Sequence, residues 1–385
     1  MSVKNIVIVG GGFAGTQLAT ALEKILTKVN DKEFRIILVE KKTHFYHSIG
    51  GLRSAVIDWD NKIMIPYTNL FNNESNLVIQ ASAVELNKKS ITLDRNVPDF
   101  GTTLRFDYLI LATGTRYPAP AKATALDYDA TVEHLVTLRA EIKAAKSIVI
   151  VGGGPVGIEL AGEIRDVYAD TKITVVHNED SLLNSSTPKL RKKCETLLEK
   201  SNVNLILSDS VILPTAANSY YHPQDKVVET KSGKSLTDVD LVLLAFGNRP
   251  ETDWLKNSGL LAENGYVKVK PTFQVDVKGR ENIYVLGDAA NFNETKMAYR
   301  VGGHVTILIS NLFDVLVRKK EPTNVYKKAP DAMFITFGKD KGVGLLPILG
   351  GIVVGNWVVS KLKSTTLFTA NSWRTLKLTE PVGSI

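Results

Sequence analysis

Two apolar runs in this chain end on glycine loops and pass at once into helical spacing. Ile6-Val7-Ile8-Val9 leads into Gly10-Gly11-Gly12-Phe13-Ala14-Gly15, and Thr16 to Ile25 then carries Leu18, Ala19, Leu22 and Ile25 on one stripe. A short unbroken apolar run reads as a parallel strand buried on both faces, and a helical stripe as an amphipathic helix. The pattern recurs. Ser147-Ile148-Val149-Ile150-Val151 precedes Gly152-Gly153-Gly154-Pro155-Val156-Gly157, and Ile158 to Val167 follows with Leu160, Ala161 and Ile164 inward. Each unit is followed by another strand: Phe34 to Val39, ending in Glu40, and Ile173 to Val176, ending in His177-Asn178.

The rest of the pattern is organised around these two units. Phe106 to Thr115 predicts a strand ending in the small residues Ala112, Thr113 and Gly114. Asp240 to Pro250, with Gly247, echoes that strand end and marks where the chain leaves the second unit. Asn282 to Ala290 predicts a strand ending in Gly287-Asp288 before a helix. Leu77 to Leu93 alternates as strands with a turn near Asn87-Lys88-Lys89, and Phe45-Tyr46-His47 belongs to a loop leading to a short helix around Arg53. Pro118 and Pro120 mark a boundary.

The glycine spacing carries chemistry. In Gly10-x-Gly12-x-x-Gly15 the first glycine permits a tight turn, the second lets a pyrophosphate approach the backbone, and the third packs helix on strand. The free N–H groups and positive dipole end of the helix then meet the phosphates. Glu40, at the end of the next strand, accepts from a ribose 2′-hydroxyl. Gly152, Gly154 and Gly157 repeat the spacing, and a chain with two such loops brings two dinucleotides together. At the second strand end the acid is replaced by His177-Asn178, which weakens rejection of a 2′-phosphate. Use of both NADH and NADPH with little discrimination is the expectation. Glu159 and Glu163, four apart, share one face of the second helix.

At 385 residues, 44% hydrophobic and 23% charged, the chain has room for two or three domains with large cores. Its single cysteine, Cys194, excludes disulfides, cysteine zinc sites, iron–sulfur clusters and a redox cysteine pair within one chain, and no metal site is expected. Part of the net charge of +7 lies in the tail. From Tyr326 onward, Lys327, Lys328, Lys339, Lys341, Lys361, Lys363, Arg374 and Lys377 face only Asp331, Asp340 and Glu380. Such a tail meets anionic lipid or nucleic acid, or is a solvated face. With the first strand beginning by Asn5 and Ser2 in second place, neither a cleaved leader nor a Met-Gly myristoylation signal is expected.

The ordered set of glycine loop, Ala112-Thr113-Gly114, second glycine loop and Gly287-Asp288 resembles the flavoproteins with two dinucleotide-binding domains. Lys296-Met297-Ala298-Tyr299, Asp340-Lys341-Gly342-Val343-Gly344 and Asn371-Ser372-Trp373-Arg374-Thr375 are similar to the ferroptosis suppressor proteins, the type 2 apoptosis-inducing-factor-like group. The resemblance implies an α/β chain with two Rossmann-like domains, in the glutathione-reductase-like or type II NADH dehydrogenase arrangement, plus a small α+β C-terminal domain. It implies residues 1–118 and 246–326 for FAD, 119–245 for NAD(P)H and 327–385 for membrane, quinone or dimer contact. The implied activity is hydride transfer from NAD(P)H to FAD and two electrons onward to a membrane quinone, protecting lipids by making quinol. Carried over by position, Gly10, Gly12, Gly15, Glu40, Arg53, Ala112, Thr113, Gly114, Asp288 and Lys296 hold FAD. Gly152, Gly154, Gly157, Glu159, His177 and Gly247 hold NAD(P)H. Glu159 approaches the nicotinamide–flavin contact, Lys363 and Phe368 line the quinone approach, and Glu163 is structural. The helix after Asp288 faces the pyrimidine edge of the flavin.

His47, after the ribose acid, is a candidate proton relay or flavin-edge group, or a structural histidine. Gly342 to Val359 carries no charge, but five glycines (342, 344, 350, 351, 355), Pro347 and Asn356 argue against a membrane span. Strand, turn and a short helix from about Ile352 is the reading, with Trp357, Val358 and Leu362 beside Lys361 and Lys363. That suits a peripheral surface on a lipid droplet, mitochondrial outer membrane or plasma membrane, facing the cytoplasm, or else a homodimer interface or a satellite core. Reduction of an acidic ferredoxin- or rubredoxin-like protein, or a death-signalling, nucleic-acid-binding flavoprotein, are the competing readings. No nucleic-acid motif or basic aromatic stripe supports the last.

Overall fold

The protein is described by a computed structural model covering residues 3–29, 32–215, 217–348 and 351–382. Ser2 and Gly350 lie outside the described residues. Lys4–Val9 pairs in parallel with Phe34–Glu40 on one side and Tyr108–Leu111 on the other; Leu77–Gln80 and Ile283–Val285 close the two edges of this five-stranded sheet. Ile6, Val7 and Ile8 are fully buried, as a strand covered on both faces must be. Each such side chain stabilises the sheet by ~1.5–3 kcal/mol relative to exposure. Helix α1 (Phe13–Lys28) covers one face with its Leu18, Ala19 and Leu22. Arg300–Leu316 packs beside it, inserted from nearly 300 residues downstream.

Ser147–Val151, Lys172–Val176, Val203–Ile206 and Leu241–Leu244 build a second parallel sheet, with the short strand Tyr220–Tyr221 antiparallel at its edge. Helix α2 (Pro155–Val167) lies between this sheet and a third, antiparallel one made of Met333–Phe337, Lys341–Leu346 and Ile352–Val354. Gly162 of α2 allows the close contact: a Cβ there would lie 2.5 Å from the Phe337 backbone. Cys194 is buried in the helix Pro188–Lys200, where burial pushes its thiol up to about 12, so it is inert.

Two sequence expectations change. Ile352–Val354 is a strand, and helical backbone starts only at Asn356. Three β-branched residues between Gly351 and Gly355 pair with Lys341–Leu346 instead of opening a helix. Gly287-Asp288 is not followed directly by a helix. Gly287–Ala289 is a single 3₁₀ turn, and helix α3 begins at Arg300 (Arg300–Leu316). The intervening Asn-containing loop is held by Lys296, whose Nζ donates to the carbonyls of Ala290 and Phe292 at 2.6 and 3.1 Å.

Candidate functional site

The two glycine loops are built alike. Gly10 and Gly152 have φ of 108° and 115°, and a Cβ on either would lie 2.4 Å from a carbonyl oxygen, of Ala112 or Ala245. A Cβ on Gly15 or Gly157 would lie 1.8 or 1.9 Å from the oxygen of Gly10 or Gly152. Gly12 and Gly154 differ from these, since a Cβ there would meet no protein atom within 4 Å. The first and third glycines of each loop are therefore required by the fold, whereas the central one leaves open space over the loop. Gly114 and Gly247 end the neighbouring strands with φ of 65° and 91°, also with open space above them.

The strand ends reach back to the loops. Glu40 Oε2 accepts from the Gly11 N–H at 2.5 Å and Oε1 from the Lys42 N–H at 2.9 Å. His177 occupies the equivalent place: its Nδ1 accepts from the Gly153 N–H at 3.2 Å. Burial holds the His177 imidazole below its ordinary pKa, so its single proton sits on Nε2. One loop is thus framed by a carboxylate that only accepts, the other by a neutral ring that still donates.

These residues fit dinucleotides. Space is clear over both central glycines, each lies at the N-terminus of a helix of 13 or more residues, and the Thr113 hydroxyl is buried without a protein partner. Asp288 accepts from Thr115 Oγ1 at 3.3 Å through one oxygen, and it caps no helix.

A seam joins the three sheets. Arg53, 1% exposed, donates from Nε and Nη2 to the two oxygens of Glu163 at 3.0 and 2.9 Å. It also donates to the carbonyls of Thr365 and Ser364 at 3.1 and 2.7 Å. Burial holds the Glu163 carboxyl above its ordinary value, against the pull of the Arg53 guanidinium. One turn earlier on α2, Glu159 Oε1 accepts from Lys363 Nζ at 2.6 Å and from the Thr336 backbone and hydroxyl at 3.0 and 3.2 Å. Lys363 Nζ also donates to the Phe334 carbonyl at 2.8 Å. Glu159 and Lys363, singled out separately in the sequence, are one ion pair. The spacing of Glu159 and Glu163 placed both on one face, but nothing in the sequence named Arg53 or Lys363 as their partners.

Between α1 and helix α4 (Thr369–Thr375) lies a cleft of about 280 Å³. Phe13, Phe45, Ile49, Tyr299 and Phe368 give it mostly apolar walls. Lys363 is not among its lining residues. His47 is, yet it is fully buried and both ring nitrogens are engaged: Nε2 with the Leu367 carbonyl and Nδ1 with Ser372 Oγ, each at 2.8 Å. Burial lowers its pKa to about 4. With Nε2 donating to a carbonyl, Nδ1 of the neutral ring accepts from the Ser372 hydroxyl. The sequence missed Ser372 and Leu367 as partners of His47, for they lie more than 300 residues away.

Residues 4–304 match the pyridine nucleotide-disulphide oxidoreductase family. The chain is 31% identical over 383 residues to ferroptosis suppressor protein 1 of Xenopus tropicalis, covering 98% of this chain and 96% of that one. It is 31% identical to apoptosis-inducing factor homolog A of Dictyostelium discoideum, over 94% and 90% of the two chains. In fold it is similar to NDH2 of Plasmodium falciparum, with a TM-score of 0.72 over the whole of both chains at 14% identity. The chain belongs to the pyridine nucleotide-disulphide oxidoreductase family, on the branch of the ferroptosis suppressor proteins, as an FAD- and NAD(P)H-dependent oxidoreductase.

Proposed function

We propose that this oxidoreductase passes two electrons from NAD(P)H to a membrane quinone: NAD(P)H, a proton and quinone give NAD(P)⁺ and quinol. The carrying observation is the apolar cleft between α1 and α4, which opens beside the first glycine loop and has Phe368 in its wall. A flat aromatic head with a hydrocarbon tail suits such walls. With one cysteine, the chain has no disulphide pair to take electrons instead.

In this reading residues 1–118 with 246–326 carry FAD, 119–245 carry NAD(P)H, and 327–385 form the acceptor side. Bound FAD supplies the two-electron couple between nicotinamide and acceptor. The protein's own residues bind and orient. Gly12 and Gly154 admit the pyrophosphates, Glu40 accepts from the adenosine ribose of FAD, and Asp288 offers its remaining oxygen to the ribityl chain. Lys296 fixes the loop that leads into α3. His177 donates from Nε2 and so tolerates a ribose 2′-hydroxyl or a 2′-phosphate. Glu159 orients the nicotinamide half while its partner Lys363 keeps a proton at the acceptor side.

The acceptor side also suits a lipid surface. Trp357 is 71% exposed with Lys361 Nζ 4.5 Å above its ring, and Ile348 and Leu362 are exposed near it in sequence. Apolar side chains dipping between basic ones is the signature of peripheral docking, and quinol made there would protect the lipids. Among the described residues no helix is long and apolar enough to cross a membrane.

Steady-state oxidation of NADH and NADPH against a panel of quinones, with and without anionic liposomes, tests this. Turnover is expected with quinones and to rise with liposomes for long-tailed ones. Oxidation no faster with any quinone than without one would end the proposal.

A further inference from the structure

Leu367 and Phe368 are consecutive non-glycine residues in the left-handed region, with φ of 49° and 61°. Side chains disfavour that region, and two in a row persist only where the surroundings hold them. Phe368 stands at the N-cap of α4, where no side chain caps the helix. The Leu367 side chain is anchored in a buried cluster with Trp59, Ile63, Met64 and Leu135. Its carbonyl is the group that His47 Nε2 holds at 2.8 Å, and its N–H donates to the Lys363 carbonyl at 2.7 Å. His47 directly follows the strand His44–Tyr46, and its ring meets Phe13 of the first glycine loop edge to face, centroids 5.3 Å apart. One imidazole therefore links the dinucleotide loop to the strained turn that carries Phe368 into the cleft wall.

We propose that His47 is a positioning residue: through its Nε2–H bond to the Leu367 carbonyl it keeps the Leu367–Phe368 turn left-handed, and so sets the bore of the cleft for the tail of the quinone. The proposal rests on the quinone reading of the cleft. It assigns His47 no proton transfer, because both nitrogens are already spoken for. Ser372 orients the ring from the other side. Without the bond to Leu367, the turn relaxes toward right-handed backbone and Phe368 leaves the wall. A long-tailed quinone then loses its lining, whereas a tail-less one scarcely uses it.

Two substitutions separate the nitrogens. In His47→Gln the amide lies where Nε2 was and still donates to Leu367. In His47→Asn it lies where Nδ1 was and leaves the Leu367 carbonyl bare. Both are neutral and similar in size, so general damage from losing the ring is common to them. Two readouts on the flavin-loaded protein are used: backbone hydrogen exchange over residues 366–371, and the KM for a long-tailed ubiquinone relative to a tail-less quinone. Expected for His47→Asn is faster exchange and a KM ratio raised roughly tenfold, the equivalent of one buried hydrogen bond lost. His47→Gln should stay near wild type in both. Ser372→Ala should shift both readouts in the same direction by less. Equal exchange and equal KM ratios in the Gln and Asn variants would overturn the proposal. So would a fall in kcat common to both variants and to every quinone that comes with no difference in exchange or KM ratio between them. Wild-type protein that reduces no long-tailed quinone while the exchange difference holds would remove the quinone reading and leave the positioning role supported.

Discussion

The first glycine loop and the second are sterically interchangeable and chemically distinct. At Gly10 and Gly152, and again at Gly15 and Gly157, an added Cβ would strike the equivalent carbonyl oxygen at distances within 0.1 Å of each other. Yet Glu40 frames one loop and His177 the other. Close packing of helix on strand dictates the glycines, so they recur wherever the fold does. In the proposed reading, the side chain at the strand end sets which dinucleotide a loop prefers. An acceptor pair suits ribose hydroxyls and repels phosphate, while a neutral donor accommodates either.

The comparison breaks most sharply at the central glycines. Gly12→Val should leave a folded but colourless protein, with FAD affinity reduced about a hundredfold or more. Gly154→Val should stay yellow and lose reduction by NAD(P)H. Flavin absorbance and anaerobic bleaching read the two. Gly15→Val, one turn on, should instead prevent folding, because its Cβ would overlap the Gly10 carbonyl. If Gly12→Val keeps its flavin, the first loop is not the flavin's cradle.

The next test concerns the seam between the two halves. Arg53→Met strands the Glu163 carboxylate, 4% exposed, without its partner and should cost about 3–5 kcal/mol in chemical denaturation. Arg53→Met combined with Glu163→Leu should recover most of that loss. A double variant no better than the single would show that the loss comes from the Ser364 and Thr365 carbonyls.

These two regions also divide what was legible in the sequence from what was not. The loops, the strands before them and the strand ends Glu40 and His177 were readable because each is a local pattern with a steric cause. The seam was not: Arg53 and Glu163 are 110 residues apart, and Lys363 reaches Glu159 across 204. Helical spacing showed that Glu159 and Glu163 share a face but not what that face meets. In the tail, the strand Ile352–Val354 is not legible locally, because a short β-branched run fits either state until its partner strand is known. The helix expected straight after Asp288 failed for a related reason, since the loop that delays it is tied down by Lys296.

A smaller effect separates the strand ends themselves. His177→Glu, which copies the first loop's acid into the second, should lower kcat/KM for NADPH about tenfold or more relative to NADH. An unchanged ratio would mean that the ribose is read elsewhere.

Acid should distinguish the halves least strongly. The first strand end is followed by His44 and His47, both lowered by burial from 6.5 to about 4. Between those values the unfolded chain binds protons that the folded chain refuses. Stability therefore rises with pH across that window and is lost as pH falls from about 6.5 toward 4. His44→Gln should flatten the dependence of Tm on pH there, and a slope unchanged from wild type would count against it.

In the proposed reading two dinucleotides meet in this chain, and electrons pass from one to an acceptor through the other. Anaerobic titration of the purified flavoprotein with NADH or NADPH, followed by a quinone, measures this directly. The flavin's visible colour should be lost with about one equivalent of either nucleotide and return on adding quinone. Colour that persists through excess NADH and NADPH would contradict it.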